Sequence, residues 1–311
     1  MSARCVVFAY HDVGVRCLSV LIEKGLDVRL VVTHRDDPRE NVFFASVEQL
    51  ARRHGLDVEV SEDASSPALL ARLQAIAPDF LFSFYYRRML PPAVLAAARR
   101  GAFNMHGSLL PKFRGRAPVN WAVLKGERET GATLHEMVAK PDAGRIAGQQ
   151  SVPIGPDDTA GEVFARVTDA AEAVLRRELP RLLDGTATLT PQDLAAGSYF
   201  GGRRPEDGRI DFTRPAREIH DLVRAVAPPY PGAFTGFHDK TLRILRTRVV
   251  ALSGPSRAPR LRLEGGRVFI DAADGGTLEV LELEHDGRTL SAQAFCDNIG
   301  PGAFPLGITP A

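Results

Sequence analysis

The sequence has little of what disulfide-stapled domains and zinc proteins depend on. Its 311 residues include only three cysteines, Cys5, Cys17 and Cys296, which are far apart and show no C-x-x-C spacing. His135-Glu136 also lacks the second histidine of a zinc-protease helix. Neither a disulfide framework nor a metal site is therefore indicated, and we expect a protein of the reducing cytoplasm that binds no metal.

An excess of either charge is absent as well. Lys plus Arg total 39 against 38 for Asp plus Glu, which gives a formal net charge of +1. Proteins that bind nucleic acids or anionic membranes through bulk charge are more basic than this. We therefore expect neither a nucleic acid nor a membrane surface among the partners.

Long apolar runs and phosphate-binding glycine motifs are also missing. No apolar stretch approaches membrane-spanning length, and an apolar strand begins near the start of the sequence, which leaves no room for a signal peptide. Gly14 is the only glycine in the first strand-to-helix turn, so the dinucleotide fingerprint is absent, and no P-loop occurs. NAD and ATP are accordingly not expected as cofactors.

What the sequence does contain is an alternation of strand and helix patterns in its first half. Apolar runs of strand length occur at 4–10, 28–33, 58–60, 80–84 and 102–106. Between them lie helical patterns at 14–25, 42–54 and 68–76, while 91–99 leads into the last strand. This alternation predicts an α/β fold with a doubly wound, mostly parallel, Rossmann-like sheet whose site lies at the strand carboxyl ends.

The pattern changes in the second half. Thr159 and Glu162 predict a capping box for a helix that Pro180 ends or kinks. A helix is predicted at 215–226, and β-like runs follow at 234–237, 242–252, 267–271 and 278–284, with glycine-containing turns between them. We expect a small β-barrel here. The predicted domains are a catalytic domain at 1–188, a linker at 189–204 and a C-terminal domain at 205–311.

The most informative stretch is 103–126. Asn104 and His106 point to the same side of the predicted strand, because residues two apart on a strand share a face. An amide donor and an imidazole at one spot suit acyl transfer, in which an oxyanion is stabilised and a proton is moved. A carboxylate from elsewhere in the chain could then fix the tautomer of the imidazole and raise its pKa.

These residues resemble a known family. Asn-x-His-x-Ser-Leu-Leu-Pro-x-x-Arg-Gly, followed downstream by Asp142-Ala-Gly, is similar to the 10-formyltetrahydrofolate-dependent formyltransferases, which include methionyl-tRNA and sugar-amine formyltransferases. The stretches 6–14, 82–87, 115–121 and 223–234 make the chain most similar to the formyltransferase domain of the bifunctional lipid A enzyme that modifies UDP-4-amino-4-deoxy-L-arabinose. The resemblance spans nearly the whole chain and implies an OB-like C-terminal domain.

The resemblance implies particular site residues. Asn104 and His106 would stabilise the tetrahedral adduct and handle protons, and Asp142 would favour the charged form of the imidazole. Contacts to 10-formyltetrahydrofolate, the formyl donor, are implied at Arg88, Met89, Leu90, Arg116, Val138, Ala139, Lys140, Pro141 and Asp142. For the loop at 108–115 and the cations Lys112, Arg114 and Arg116, we favour closure over a ligand, and a solvated loop is the alternative.

Three functions stay open. The first is formyl transfer to the 4-amino group of a nucleotide-activated sugar, with UDP-4-amino-4-deoxy-L-arabinose preferred and a dTDP-linked aminohexose as the alternative. The second is methionyl-tRNA formylation, which the balanced charge at 33–42 disfavours. The third is a catalytically silent folate or nucleotide binding module. The sequence has no counterpart of the relative's fused dehydrogenase domain, so another protein is expected to supply that step, and the oligomeric state stays undetermined.

Overall fold

The computed structural model describes residues 2–38 and 41–306. The chain divides into two compact units. The first comprises Met1–Pro118, Glu129–Pro153 and Phe164–Gly201. The second comprises Val119–Arg128, Ile154–Val163 and Gly202–Ala311.

The first unit is built on a seven-stranded sheet with the strand order β3-β2-β1-β4-β5-β7-β8. The strands from β3 to β5 are parallel, and β7 and β8 add antiparallel partners at one side. Strands β6 and β9 form a separate parallel pair. The strands are β1 Arg4–Ala9, β2 Asp27–Thr33, β3 Val58–Val60, β4 Phe80–Phe84, β5 Gly101–His106, β6 Arg114–Gly115, β7 Glu129–Glu136, β8 Ile146–Pro153 and β9 Tyr199–Phe200. The central strands read as continuous apolar runs because helices cover both faces of such a sheet.

The helices in this part of the chain are α1 His11–Glu23, α2 Val47–Arg53, α3 Pro67–Ile76, α4 Pro92–Leu95, α5 Pro118–Leu124 and α6 Ala160–Asp184. Three of them, α2, α3 and α6, begin where a serine or threonine side chain caps a free backbone N–H group. The side chain of Ser46 accepts a hydrogen bond from Gln49 N, so α2 starts at Val47 and not at residue 42 as the periodicity predicts. The Thr159–Glu162 capping box is present, with Thr159 N donating to Glu162 Oε2 at 2.8 Å. Pro180 lies inside α6, which continues to Asp184.

The strand order fixes where a ligand can enter this sheet. From β1 the chain runs outwards through β2 to β3, and it then crosses to β4 on the other side of β1. A crevice opens outside the carboxyl ends of strands where the order reverses in this way. The loops after β1 and β4 border that crevice, and β5 is the next strand along.

The part of the second unit from 202 to 306 is an antiparallel sheet with the helices α7 and α8. Its strand order is β10-β11-β14-β13-β12-β16, with β15 paired to β14. The elements are α7 Ala216–Val226, β10 Ala233–Phe237, β11 Lys240–Ala251, β12 Arg260–Glu264, β13 Arg267–Asp271, β14 Thr277–His285, β15 Arg288–Leu290, α8 Ala292–Ile299 and β16 Gly302–Pro305. One core joins Ile219 of α7, Leu278 of β14 and Phe295 of α8. The expected fold class, a mostly parallel α/β domain followed by a small β-domain, is confirmed. Strands β12, β15 and β16 here and β6 to β9 in the first unit are strands beyond those expected.

No helix among residues 2–38 and 41–306 combines the length and the apolar character that crossing a bilayer requires.

Candidate active site

Strand β5 carries Asn104 and His106 at its carboxyl end. Their side chains lie on one face because of the strand's two-residue period. Phe103, which precedes Asn104, and Met105, which lies between the two, are buried in the sheet. His106 is buried, and Asn104 is partly exposed. The strand therefore holds both groups rigidly at an edge that a ligand can reach.

Asp142 reaches the same edge from the loop after β7. Its Oδ1 lies 3.6 Å from His106 Nδ1, and its Oδ2 accepts a hydrogen bond from Gly115 N at 2.8 Å. Asp142 has a φ of 51°, and its carbonyl oxygen accepts from Gln192 Nε2 at 3.0 Å, which anchors the turn. Burial alone would raise the pKa of the Asp142 carboxyl, but His106, His135 and the Gly115 N–H together hold it well below its usual range. The carboxylate is therefore ionised at neutral pH.

The other ring nitrogen of His106 is also bonded. Nε2 lies 2.8 Å from the carbonyl oxygen of Phe113. A carbonyl oxygen only accepts hydrogen bonds, so this nitrogen carries a proton. The imidazole is thus oriented from both sides, by a carboxylate at Nδ1 and by a main-chain acceptor at Nε2.

His135 also belongs to this cluster, although the sequence pattern does not indicate it. It stands opposite Asn104 in the β5–β7 pairing and is almost fully buried. Its Nε2 lies 3.2 Å from Asn104 Nδ2 and 3.5 Å from Asp142 Oδ1, and its Nδ1 donates to Glu136 O at 2.7 Å. His135 therefore links Asn104 to Asp142. Only the antiparallel register of β7 could have revealed it, and that register is not visible in the local pattern.

The loop at 108–115 is fixed at several points. Thr133 Oγ1 donates to Ser108 O at 2.6 Å, and Gln149 Nε2 donates to Leu110 O at 2.9 Å. Phe113 N donates to Ser198 Oγ at 2.8 Å. The loop forms a fixed wall beside His106 and Asp142 in this conformation, not a free lid.

Two glycines allow this close packing. A Cβ on Gly107 would lie 1.9 Å from the hydroxyl oxygen of Tyr85, which sits directly over the residue after His106. Gly115 has a φ of 99°, and a Cβ there would lie 2.2 Å from Phe200 O. Larger residues at either position would push apart the segments that form the site.

The residues implied as folate contacts form two segments. Arg88 and Met89 are exposed after β4, whereas the side chain of Leu90 is buried in the core and leaves its main chain as the part a ligand could meet. Val138, Ala139 and Lys140 are exposed after β7, Pro141 is partly buried beside Asp142, and Arg116 is exposed. His34 braces the first segment, because its Nε2 accepts from Arg87 N at 2.8 Å and its ring stacks on Tyr86.

An aromatic cluster lies at the carboxyl end of β1. The His11 ring stacks on Phe44 at 4.0 Å between centroids and meets Phe164 edge-on at 4.8 Å. Burial lowers the pKa of His11 from 6.5 to about 4, with Asp12 opposing the shift and Arg87 adding to it. His11 therefore stays neutral in the folded protein at a pH where an unfolded histidine is charged.

This shift predicts how stability depends on pH. As pH falls from 7 to 5, the unfolded chain binds a proton at His11 and the folded chain does not, so stability falls. Asparagine tolerates the φ of 66° at this position. Between pH 7 and pH 5, the free energy of unfolding of His11→Asn should therefore fall by about 1–2 kcal/mol less than that of the wild type. Urea unfolding at both pH values measures the difference. The exposed His54→Asn is the matched control, and equal losses in all three proteins would contradict the prediction.

No group of three or more His, Cys, Asp and Glu side chains among the described residues is arranged to hold a metal ion. The cluster instead combines an amide donor, two oriented imidazoles and an ionised carboxylate. These groups can stabilise a developing oxyanion and hold a proton next to it, which is what transfer of an acyl group needs.

The fold and this site define a group-transfer enzyme. Comparison with protein families identifies the transferred group. Residues 4–179 match the formyl transferase family, and residues 203–299 match the formyl transferase C-terminal domain. The chain therefore belongs to the formyltransferase family. The expected enzyme class is confirmed.

Solved structures with the same fold include sugar N-formyltransferases. The Helicobacter canadensis N-formyltransferase, solved with folinic acid and dTDP-3-aminofucose, is 20% identical with a TM-score of 0.71, over 90% of this chain and 99% of that chain. The sugar 3-N-formyltransferase WlaRD, solved with dTDP and 5-N-formyl-THF, is 18% identical with a TM-score of 0.71, over 93% and 98%. A likely sugar N-formyltransferase from Mycobacterium tuberculosis is 18% identical with a TM-score of 0.59, over 75% and 91%.

Proposed function

We propose that this enzyme transfers the formyl group of 10-formyltetrahydrofolate to the 4-amino group of a nucleotide-activated amino sugar, with UDP-4-amino-4-deoxy-L-arabinose as the acceptor. The observation that carries the proposal is the cluster of Asn104, His106, His135 and Asp142 in a chain of the formyltransferase family. Relatives of the same fold were solved with formyl-folates and dTDP or a dTDP-linked amino sugar, which supports both substrate classes.

The proposed reaction joins the acceptor nitrogen to the formyl carbon. The unprotonated amine attacks, the formyl oxygen becomes an oxyanion, and the Asn104 amide and the His106 imidazole stabilise it. The bond from the formyl carbon to folate N10 then breaks, and N10 takes up a proton while the acceptor nitrogen loses one. His106 donates its Nε2 proton to N10, where the substrate replaces Phe113 O as the acceptor of that proton. It then takes up the proton that the acceptor nitrogen loses, which restores the positive ring that ionised Asp142 stabilises.

The folate would lie along the two exposed segments, 88–90 and 138–142. Both carry main-chain donors and acceptors, and the second segment includes Asp142 of the catalytic cluster. A flat pterin edge can be bound through such groups. The acceptor would enter at the reversal of strand order between β1 and β4, beside β5.

A dTDP-linked aminohexose is the second candidate acceptor. The Helicobacter canadensis structure with dTDP-3-aminofucose and the WlaRD structure with dTDP favour it. The similarity of 115–121 and 223–234 to the arabinose enzyme favours the UDP sugar. Charged initiator tRNA is a weaker candidate because the net charge of +1 provides no bulk attraction to RNA.

An acceptor panel tests the proposal. We expect the purified protein with 10-formyltetrahydrofolate to formylate UDP-4-amino-4-deoxy-L-arabinose faster than dTDP-linked 3- and 4-aminohexoses, and not to formylate methionyl-tRNA. Mass spectrometry of the product and the absorbance of released tetrahydrofolate measure the transfer. Faster formylation of a dTDP-linked sugar would make that sugar the acceptor in place of UDP-4-amino-4-deoxy-L-arabinose. Efficient formylation of methionyl-tRNA, with no formylation of any sugar, would overturn the sugar proposal.

A further inference from the structure

Arg114 is a buried cation for which the described protein provides no counter-charge. Its side chain lies in the loop beside the catalytic cluster and is only 8% exposed. Nε is buried without a hydrogen-bond partner, and among residues 2–38 and 41–306 no carboxylate pairs with this guanidinium. No acidic residue occurs between 107 and 126, while Lys112 and Arg116 add positive charge. Leaving such a group unpaired is costly, so its retention indicates a ligand.

The same chain shows how it treats an arginine that is purely structural. Arg224, in the second unit, is 3% exposed and pairs with Asp221 at 2.7 Å. It also donates to the carbonyl oxygens of Val123, Gly155 and Asp158. Arg114 has none of these partners, so packing alone does not explain a guanidinium at this position.

The backbone of Arg114 is held in place next to the reacting groups. Phe113 O accepts from His106 Nε2 at 2.8 Å, and Gly115 N donates to Asp142 Oδ2 at 2.8 Å. Arg114 N donates to Ser198 O at 3.0 Å in the β6–β9 pair. Arg114 therefore starts from a fixed point, one residue from the contacts to His106 and to Asp142.

We propose that Arg114 binds the diphosphate of the nucleotide-linked acceptor and thereby sets the position of the amine at His106. The inference rests on the proposed function and names the anchor of its acceptor. A guanidinium binds phosphate oxygens through two parallel N–H bonds, which a lysine cannot reproduce. In a nucleotide 4-aminosugar, one ring separates the amine from the diphosphate, whereas the folate carboxylates lie beyond the aminobenzoyl ring. Of these anions, the diphosphate is therefore the one nearer to the reacting amine.

Binding of UDP and dTDP tests the assignment without needing catalysis. Calorimetric titration of Arg114→Met should show about 10- to 100-fold weaker binding of both nucleotides, as expected for the loss of charge-assisted hydrogen bonds. The nucleotide affinity of Arg114→Lys should lie between those of the wild type and Arg114→Met. Inorganic pyrophosphate should compete with UDP on the wild type only. The matched control is Arg53→Met, which removes an exposed arginine at the end of α2, outside this loop, and should keep the wild-type affinity.

Stability separates binding from a structural role. Without ligand, Arg114→Met should melt at or above the wild-type temperature, because replacing an unpaired buried charge with an apolar side chain is often stabilising. At the same UDP concentration, UDP should raise the Tm of the wild type more than that of the variant. Wild-type nucleotide affinity in Arg114→Met would overturn the proposal. A lowered Tm of Arg114→Met together with wild-type UDP affinity in Arg114→Lys would also overturn it. So would a loss of affinity in Arg114→Met for folinic acid alone, or a wild-type protein that binds no nucleotide.

The two proposals fail in different ways. If no nucleotide sugar is formylated but Arg114→Met still loses UDP affinity, the acceptor assignment is wrong and the diphosphate site stands. If formylation of the sugar proceeds and Arg114→Met retains its KM for the sugar, the diphosphate site is wrong and the function stands.

Discussion

Asp142→Asn should lower turnover by on the order of 10³-fold while changing the binding of either substrate far less. The amide keeps the shape of the side chain and can still accept the Gly115 N–H. It removes the negative charge that lies 3.6 Å from His106 Nδ1 and 3.5 Å from His135 Nε2, and it can place an NH₂ group against these rings. The charged imidazole thereby loses its stabilising partner. Single-turnover rates and separate titrations with folinic acid and UDP measure the two effects.

The control for this variant is Asp193→Asn. Asp193 is exposed in the same unit and accepts a hydrogen bond from Ala195 N at 3.1 Å, which an asparagine can also accept. It makes the same change of charge outside the cluster, so its turnover should equal that of the wild type. Because the Asp142 pKa is lowered, the carboxylate stays ionised across the assay range, and the defect should persist at every pH from 6 to 9. Wild-type turnover in Asp142→Asn would show that the Asp142 carboxylate has no role in catalysis.

Asn104→Ala should lower turnover by about 10²- to 10³-fold, the usual loss when one oxyanion donor is removed. The side chain of Asn104 is at the open end of β5, and its amide is held by His135 Nε2 at 3.2 Å. Removing it takes away a donor that acts on the transition state, so kcat should fall while folinic acid binding and Tm stay near wild type. Stopped-flow turnover and a thermal scan measure these quantities.

His135→Gln distinguishes a direct role of Asn104 from an indirect one. This variant removes the ring that positions the amide but leaves Asn104 in place, so we expect a smaller loss than in Asn104→Ala. Equal losses in the two variants would mean that Asn104 acts by holding His135. Near-normal turnover of Asn104→Ala would remove it from the oxyanion role.

Much of the first unit could be predicted because its signals are local. The runs at 80–84 and 102–106 are apolar over a strand's length, and the structure has β4 and β5 there. The Thr159–Glu162 box marks the start of α6 to the residue. Errors occur where a cap competes with periodicity, as at Ser46, which delays α2 although residues 42–46 continue the apolar spacing.

Short edge elements were harder to predict. Strands β6 and β9 have two residues each, and their pairing depends on Gly115 lying against Phe200 O. Strands of this length have no periodicity to read. Their partners are also far apart in the chain, so only the assembled fold defines them.

The sequence by itself determined the fold class and the placement of Asn104 and His106 on one side of a strand, because a two-residue period acts through adjacent covalent bonds. Only the tertiary structure decided which groups meet them. His135 lies 31 positions from Asn104 and is brought to it by strand register, and Asp142 is brought in by a turn fixed through Gly115 and Gln192. The unpaired burial of Arg114 likewise depends on segments that surround it. Burial and charge pairing are properties of assembled neighbours, so no local pattern can encode them.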